Sequence, residues 1–423
     1  VTATPPPAGA LRVVLVIARY PPHHVGGYEL RCRDVARELA RRGHSVTVLT
    51  SRVGARGVSD DGGVRVVREL HLYPDGVIGR AATLGFVFAT ASDCGRLRRE
   101  TRGADVVAYW HQAGLTSALL AVRPRKGCGV LCDVSSEWLR DSAKTGGNWF
   151  RIWEKRPASG GKRAAKSVLR ALVGLFSSAP TRRPAFPPGR AYFTSEERKT
   201  SYVADGVAVA DAALIRSGIE LSLFKFAPER PDGPARVLYL SRIKRWKGLH
   251  TVVLAMGDLP KDTTLRAVGA VEDEGYLGEV AELARAAHVI ERVQFGAPVP
   301  HTEVPRLLRE AHVLVFASEE PEPFSRLVLE SFAVGTPVVG TTIGGTGEVL
   351  REGETGLTFP PGNSRELSNQ LQRILSDAPL RQRLVANARR LVEERYSLRF
   401  TVDQIEALLR EAVARARPDA PSA

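Results

Sequence analysis

The sequence predicts an α/β chain of two Rossmann-like domains, each a doubly wound parallel sheet, facing each other across a cleft. Three observations carry this. β-branched runs alternate with helical patterns from Leu11 onward, and the same alternation starts again at Arg236. Between the two series lies "FAPERPDGPAR" (226–236), rich in Pro, Gly and charge as a linker is. The 423 residues are enough for two domains of about 200 residues each.

Residues 1–10, "VTATPPPAGA", read as a disordered lead-in. They lack the charged start and apolar core of a signal peptide, so a cytoplasmic location is expected. The first domain, 11–225, opens on the strand "LRVVLVIARY". A loop follows, then the helix "YELRCRDVARELARRG", with Leu30, Val35 and Leu39 at helical spacing and Gly43 as its C-terminal cap. "SVTVLT" returns as a parallel strand, and "ADVVAYW" and "GVLCDV" extend the sheet. The second domain, 237–398, runs through the strands "RVLYLS", "TLRAVGA", "VQFGA", "HVLVFAS" and "TPVVGT", with helical patterns between them. A last helix, 399–416, carries "VDQIEALLREAVARAR".

Composition excludes several classes. At 25% charged and 43% hydrophobic, the chain has the balance of a soluble globular protein. No apolar run reaches the roughly 18 residues of a membrane span. Cys32, Cys94, Cys128 and Cys132 offer no second close pair for a zinc site and read as structural thiols. The net charge of +14 is uneven: Asp141 to Thr200 holds thirteen Lys and Arg against four Asp and Glu. Within it, "KRAAKSVLRALVGLF" (162–176) sets Arg163, Lys166 and Arg170 on one side of a helix, and Ala165, Val168, Leu169, Leu172 and Val173 on the other. Such a helix either rests on an anionic membrane surface or covers a core with its basic face in water, the commoner outcome. No nucleic-acid-binding motif is present, so nucleic acid is not an expected partner.

The chemistry concentrates in "EPFSRLVLESFAVGTPVVG" (322–340), where Glu330 stands among Leu327, Val328, Leu329, Phe332, Ala333 and Val334. A carboxylate in apolar surroundings is costly unless hydrogen-bonded. The helix starting near Phe324 or Ser325 follows a strand's carboxyl end, where open α/β sheets bind ligands, and its N-terminus suits a diphosphate. Glu330 lies about 8 Å further along the axis, within reach of the hydroxyls of an attached ribose. Glu322, in the preceding loop, faces the other end of such a ligand.

Glu322 and Glu330 form an E-x7-E pair, and Ser318 to Gly362 resembles the signature block of glycosyltransferase family 4, retaining enzymes of the GT-B fold. "LYLSRIKRWKGLHTVVLA" (238–255) resembles that family's G-R-x-x-x-x-K-G segment, and "YPPHHVGGYELRCRDVARELARRGHSVTVLT" its Gly-Gly loop and R-G-H-x-V. "IRSGIELSLFKFAP" resembles the stretch leading to its hinge. The resemblance implies that Arg242 and Lys247 clamp donor phosphates, Glu330 holds the ribose, and Glu322 contacts the transferred sugar or its developing positive charge. Gly26 and Gly27 would admit the diphosphate closely. Backbone N–H groups of Phe324, Ser325, Arg326 and Leu327, with those of Gly344 and Gly345, would complete an anion site. A nucleotide diphospho-sugar is then a co-substrate, with no cofactor and no metal required, and the anomeric configuration is retained.

Two departures stand out. Ser325 replaces the glycine usual after E-P-F. The His-Asp or His-Glu pair that many members carry after the strand matching "GVLCDV" is missing; Asp133, Glu137 or His111 could fill the gap, or the acceptor needs little deprotonation. The leading expectation is a hexosyltransferase acting on a small molecule of bacterial natural-product (antibiotic) or thiol biosynthesis. The alternatives are a lipid or sugar-phosphate acceptor, with the enzyme peripheral to the inner face of the membrane, a sugar-nucleotide epimerase, and a non-catalytic nucleotide-sugar binder. No motif names the base, the sugar, the acceptor or the oligomeric state.

Overall fold

The computed structural model describes residues 9–24, 26–73, 83–122, 124–140, 147–154, 160–176, 179–185, 189–229 and 232–417. The chain forms two compact units, Val1–Ile215 with Val402–Ala423, and Arg216–Thr401.

The first unit contains β1 (Arg12–Val16), β2 (Ser45–Ser51), β3 (Gly57–Asp60), β4 (Arg65–Leu70), β5 (Val106–Tyr109), β6 (Gly129–Val134), β7 (Arg190–Phe193) and β8 (Ala213–Leu214). They form one sheet in the order β3-β4-β2-β1-β5-β6-β7-β8, parallel except for β3 against β4. Period-two alternation explains the burial on both faces. Val14, Val16, Val107 and Tyr109 enter one core, roofed by the helix Thr83–Glu100, while Val13 and Leu15 are buried on the opposite face. The helix Gly27–Arg41 carries β1 to β2, buries Leu30, Val35, Ala36 and Leu39, and ends at Gly43 with φ +90°. Strands β3, β4, β7 and β8 are additions to the sequence reading: they lie in stretches short on apolar periodicity. All four cysteines are free and buried.

The second unit contains β9 (Arg236–Leu240), β10 (Thr264–Val268), β11 (Val293–Gly296), β12 (Val313–Phe316), β13 (Val338–Gly340) and β14 (Leu357–Thr358), all parallel, in the order β11-β10-β9-β12-β13-β14. Alternate residues of β9 feed two cores. Val237 and Tyr239 pack with Val252, Val280 and Leu371 on one face, and Leu238 with Leu308, Phe332 and Val392 on the other.

The boundary differs from the linker read in the sequence. Units divide at Ile215/Arg216, and 226–229 and 232–236 lie on the second unit. Ile219 and Phe224 are wholly buried in its core, the Ile219 N–H donates to Tyr396 O (2.9 Å), and the Ala227 N–H donates to Val334 O (2.8 Å). The last helix, Leu398–Ala416, starts in the second unit and passes into the first at Val402. There Val402, Ile405, Leu409 and Ala412 are buried.

The basic helix spans Gly160–Phe176. Of its apolar set only Val173 is buried, and Leu169 is half-buried against the core; Val168 and Leu172 are 59% and 46% exposed. It therefore roofs the core with one edge only. Among the described residues no helix is long and apolar enough to cross a membrane.

Candidate active site

In the second unit the sequence-predicted residues gather at the carboxyl ends of β9, β12 and β13. After β9 the chain makes a 3₁₀ turn, Arg245–Lys247, closed by Gly248 at φ +71°. A Cβ there would sit 2.0 Å from Ala317 O, so glycine alone lets this turn lie against the end of β12. That approach places Lys247 beside the loop after β12: its Nζ lies 2.5 Å from Glu322 Oε1, with the two side chains 8% and 16% exposed. The Ser318 hydroxyl also donates to Glu322. Burial holds the Lys247 ammonium below the ordinary lysine range, against the opposing pull of Glu322. Arg242 and Lys244 share Glu272, which follows β10, at 2.7 and 3.0 Å. The Trp246 ring lies among these cations, its centroid 4.3 Å from Lys247 Nζ, 5.1 Å from Lys244 Nζ and 5.9 Å from Arg242 Cζ.

The loop after β12 leads into the helix Arg326–Val334, capped by Ser325, whose hydroxyl accepts from the Val328 N–H (3.4 Å). The first turn of this helix, at Arg326 and Leu327, is its positive end. Phe324 is half-buried against Tyr396, ring centroids 5.7 Å apart. Glu330 is 4% exposed, and its partner is His301: Nε2 to Oε1, 2.8 Å. Arg326 Nε is further away, at 3.7 Å. His301 lies just before the helix Val304–Glu310, and the sequence signal for it was a buried acid needing a donor.

Gly344 and Gly345 hold the other side of the Glu322 loop. Gly344 has φ +71°, and a Cβ would come 2.4 Å from Glu322 O. The Gly345 N–H donates to that same oxygen at 2.8 Å. This corrects the expectation that Gly345 offers its N–H to an anion: the group is committed to positioning Glu322.

In the first unit Gly26 and Gly27 come after β1 and His111 after β5, while Asp133 is the last residue but one of β6. Gly26 is the N-cap of the helix Gly27–Arg41, with an extended backbone (φ −157°) and its N–H on Glu29 Oε2 at 3.1 Å. A Cβ on Gly26 would meet nothing closer than that oxygen at 4.0 Å, so the fold does not itself demand glycine there. His111 stacks on Tyr28 (5.1 Å, 17°), and its Nδ1 lies 2.6 Å from Ser136 Oγ. Burial pushes its pKa down to about 4, against the opposing charge of Asp133. Asp133 is not available as an acceptor-side base. It is fully buried, ion-paired to Arg31, and accepts from Ser135. Arg31 in turn lies over Trp110 and Tyr192, at 4.9 and 5.5 Å. Glu137 is taken by Arg198 and Arg140. Arg31 was hidden in the sequence because an arginine on a helix normally reads as solvated.

Two family profiles match: "Glycosyltransferase Family 4" over residues 25–168 and "Glycosyl transferases group 1" over residues 222–391. The chain belongs to glycosyltransferase family 4. It is 34% identical to the glycogen synthase of Mycobacterium tuberculosis over 188 residues, 44% of each chain, so it spans under half the length of that relative. Among solved structures, sucrose-phosphate synthase from Thermosynechococcus elongatus superposes with a TM-score of 0.71 at 21% identity, covering 96% of this chain and 100% of that one. Anabaena HepE in complex with UDP-glucose gives 0.66 at 18%, covering 95% and 100%. These likenesses show that this family 4 chain has the GT-B fold, two Rossmann-like units each built on a parallel sheet.

Proposed function

We propose that the protein is a retaining glycosyltransferase that moves a hexosyl group from a nucleotide diphospho-sugar, with the donor held by the second unit. The observation that carries this reading is the buried Lys247–Glu322 pair, set beside Arg242 and the N-terminus of the helix Arg326–Val334 at the carboxyl ends of β9 and β12. Diphosphate oxygens compete with Glu322 and Glu272 for Lys247 and Arg242, and the Arg326 and Leu327 N–H groups add the helix end. Glu322, released from Lys247, then faces the anomeric centre, whose positive charge grows as the bond to phosphate breaks. Glu330, oriented by His301, receives the ribose hydroxyls. The departing phosphate oxygen takes the acceptor's proton. HepE in complex with UDP-glucose supports a uridine donor.

On the first unit, His111 with Nδ1 occupied by Ser136 presents Nε2 to the acceptor. The test is product analysis: UDP-glucose is incubated with small hydroxyl acceptors and the new linkage is read by NMR. An α-linked product from the α-linked donor is expected. A β-linked product, or UDP-glucose bound and never discharged, removes the retaining-transferase reading.

A second reading, a lipid acceptor met at an anionic membrane, draws support from the exposed Val168 and Leu172 on a helix that also carries Lys162, Arg163 and Lys166. Co-sedimentation with vesicles containing anionic phospholipid, lost in Val168→Asp/Leu172→Asp, is its expected signature; equal sedimentation of the double variant rejects it.

A further inference from the structure

His71 is the first residue after β4, at the carboxyl edge of the first sheet. Asp93, on the helix Thr83–Glu100, is 1% exposed, and among the described residues its carboxylate hydrogen-bonds His71 alone. It accepts from the His71 backbone N–H at 3.2 and 3.3 Å and lies 2.7 Å from Nδ1. Burial pushes the Asp93 carboxyl up to about 6, against the hydrogen bonds and charge of His71. A helix-to-strand tie needs no acid, since a neutral amide or apolar contact makes one at lower desolvation cost. What a carboxylate adds is a fixed ring: Nδ1 donates to Asp93, and Nε2 keeps its lone pair. Among the described residues nothing hydrogen-bonds Nε2, and the His71 side chain is 28% exposed.

The setting is firm and shares an edge with His111. The Tyr73 N–H donates to Gly114 O (2.7 Å), three residues beyond His111. The Tyr73 ring lies parallel to His71 (6.4 Å, 19°) and edge-on to Phe86 (4.6 Å, 86°). The Arg52 N–H joins the end of β2 to Leu70 O (3.0 Å), so the segments after β2, β4 and β5 form one rim.

We propose that His71 is an acceptor-binding residue whose Nε2 receives a hydrogen bond from a hydroxyl of a polyol acceptor, and that Asp93 is a positioning residue fixing its tautomer. This rests on the transferase reading above. With Nδ1 engaged by Asp93, the Nε2 lone pair accepts from a hydroxyl. His71 holds a hydroxyl next to the reacting one and takes no proton from it.

The experiment measures transfer from UDP-glucose to glucose, glycerol and myo-inositol, with UDP affinity determined separately by calorimetry, for wild type, His71→Phe, His71→Gln and Asp93→Asn. His71→Phe should raise the acceptor KM about tenfold, the worth of one hydrogen bond, with donor KM and UDP affinity unchanged. His71→Gln, which restores an acceptor oxygen, should recover part of the loss. Asp93→Asn, whose amide favours the other tautomer, should match His71→Phe while keeping the wild-type fold by circular dichroism. An unchanged acceptor KM in His71→Phe overturns the proposal. So does transfer to none of the polyols while UDP still binds. If UDP itself fails to bind wild type, the donor reading has failed, and the proposal falls with it.

Discussion

Lys247 and Asp133 show how similar buried ion pairs serve different ends. Lys247 lies at the carboxyl ends of the strands beside a helix N-terminus, its ammonium held low by burial and matched by Glu322. Lys247→Ala should cut turnover by about a thousandfold, the scale of losing one cation at a departing phosphate, and steady-state kinetics with UDP-glucose reads this directly. Asp133 is enclosed by Arg31, Ser135 and the first core. Asp133→Ala leaves Arg31 charged and unpaired, and should cost about 3–5 kcal/mol of stability in a urea melt. His111 adds a pH term. Its folded pKa, about 4, lies below the ordinary histidine value, so the unfolded chain binds the extra proton first. The contribution is full above the unfolded pKa of about 6.5 and is lost as pH falls towards 4. Asp93 works the other way, its contribution lost as pH rises through about 6. Comparing wild type with His111→Asn isolates the first: the variant should lose less stability between pH 7 and 5 on the usual histidine scale, and equal losses contradict the assignment.

At the scale of elements, turns set the site more than helices do. Gly248 allows Lys247 to reach Glu322, because a side chain at φ +71° meets Ala317 O at 2.0 Å. Gly248→Ala should therefore lower the melting temperature and nucleotide affinity together, where a change elsewhere in the turn would lower only one. The strands and helices that position these turns were legible in the sequence because Val237, Leu238 and Tyr239 alternate between two cores and Leu30, Val35 and Leu39 recur on one face. The Glu322 to Glu330 block was legible because a carboxylate in an apolar helix needs a reason. Its partner was not, since His301 meets Glu330 through a turn 29 residues away. Asp133 misled for the same cause: only the fold brings Arg31 to it across 102 positions. Local pattern reveals elements, whereas pairings across the sheet depend on the register that folding sets.

For the whole molecule, the chain passes between units twice, at Ile215/Arg216 and at Thr401/Val402. The final helix completes the first unit: a Cβ on Gly129 would touch the backbone of Ala412 at 2.6 Å, and Arg417 reaches Asp105 at 2.8 Å. A chain ending at Thr401 should thus lose stability in its first unit and keep a second unit able to bind nucleotide, which scanning calorimetry with and without UDP separates. The most direct test of the central claim is calorimetric titration of UDP, GDP, dTDP and ADP into the wild-type chain, Glu330→Gln and Lys247→Ala. One of the four should bind wild type at micromolar level, with both variants weaker by about tenfold or more. If none binds, or if both variants bind as wild type does, the edge built by Lys247, Glu322 and Glu330 is not a nucleotide-sugar site.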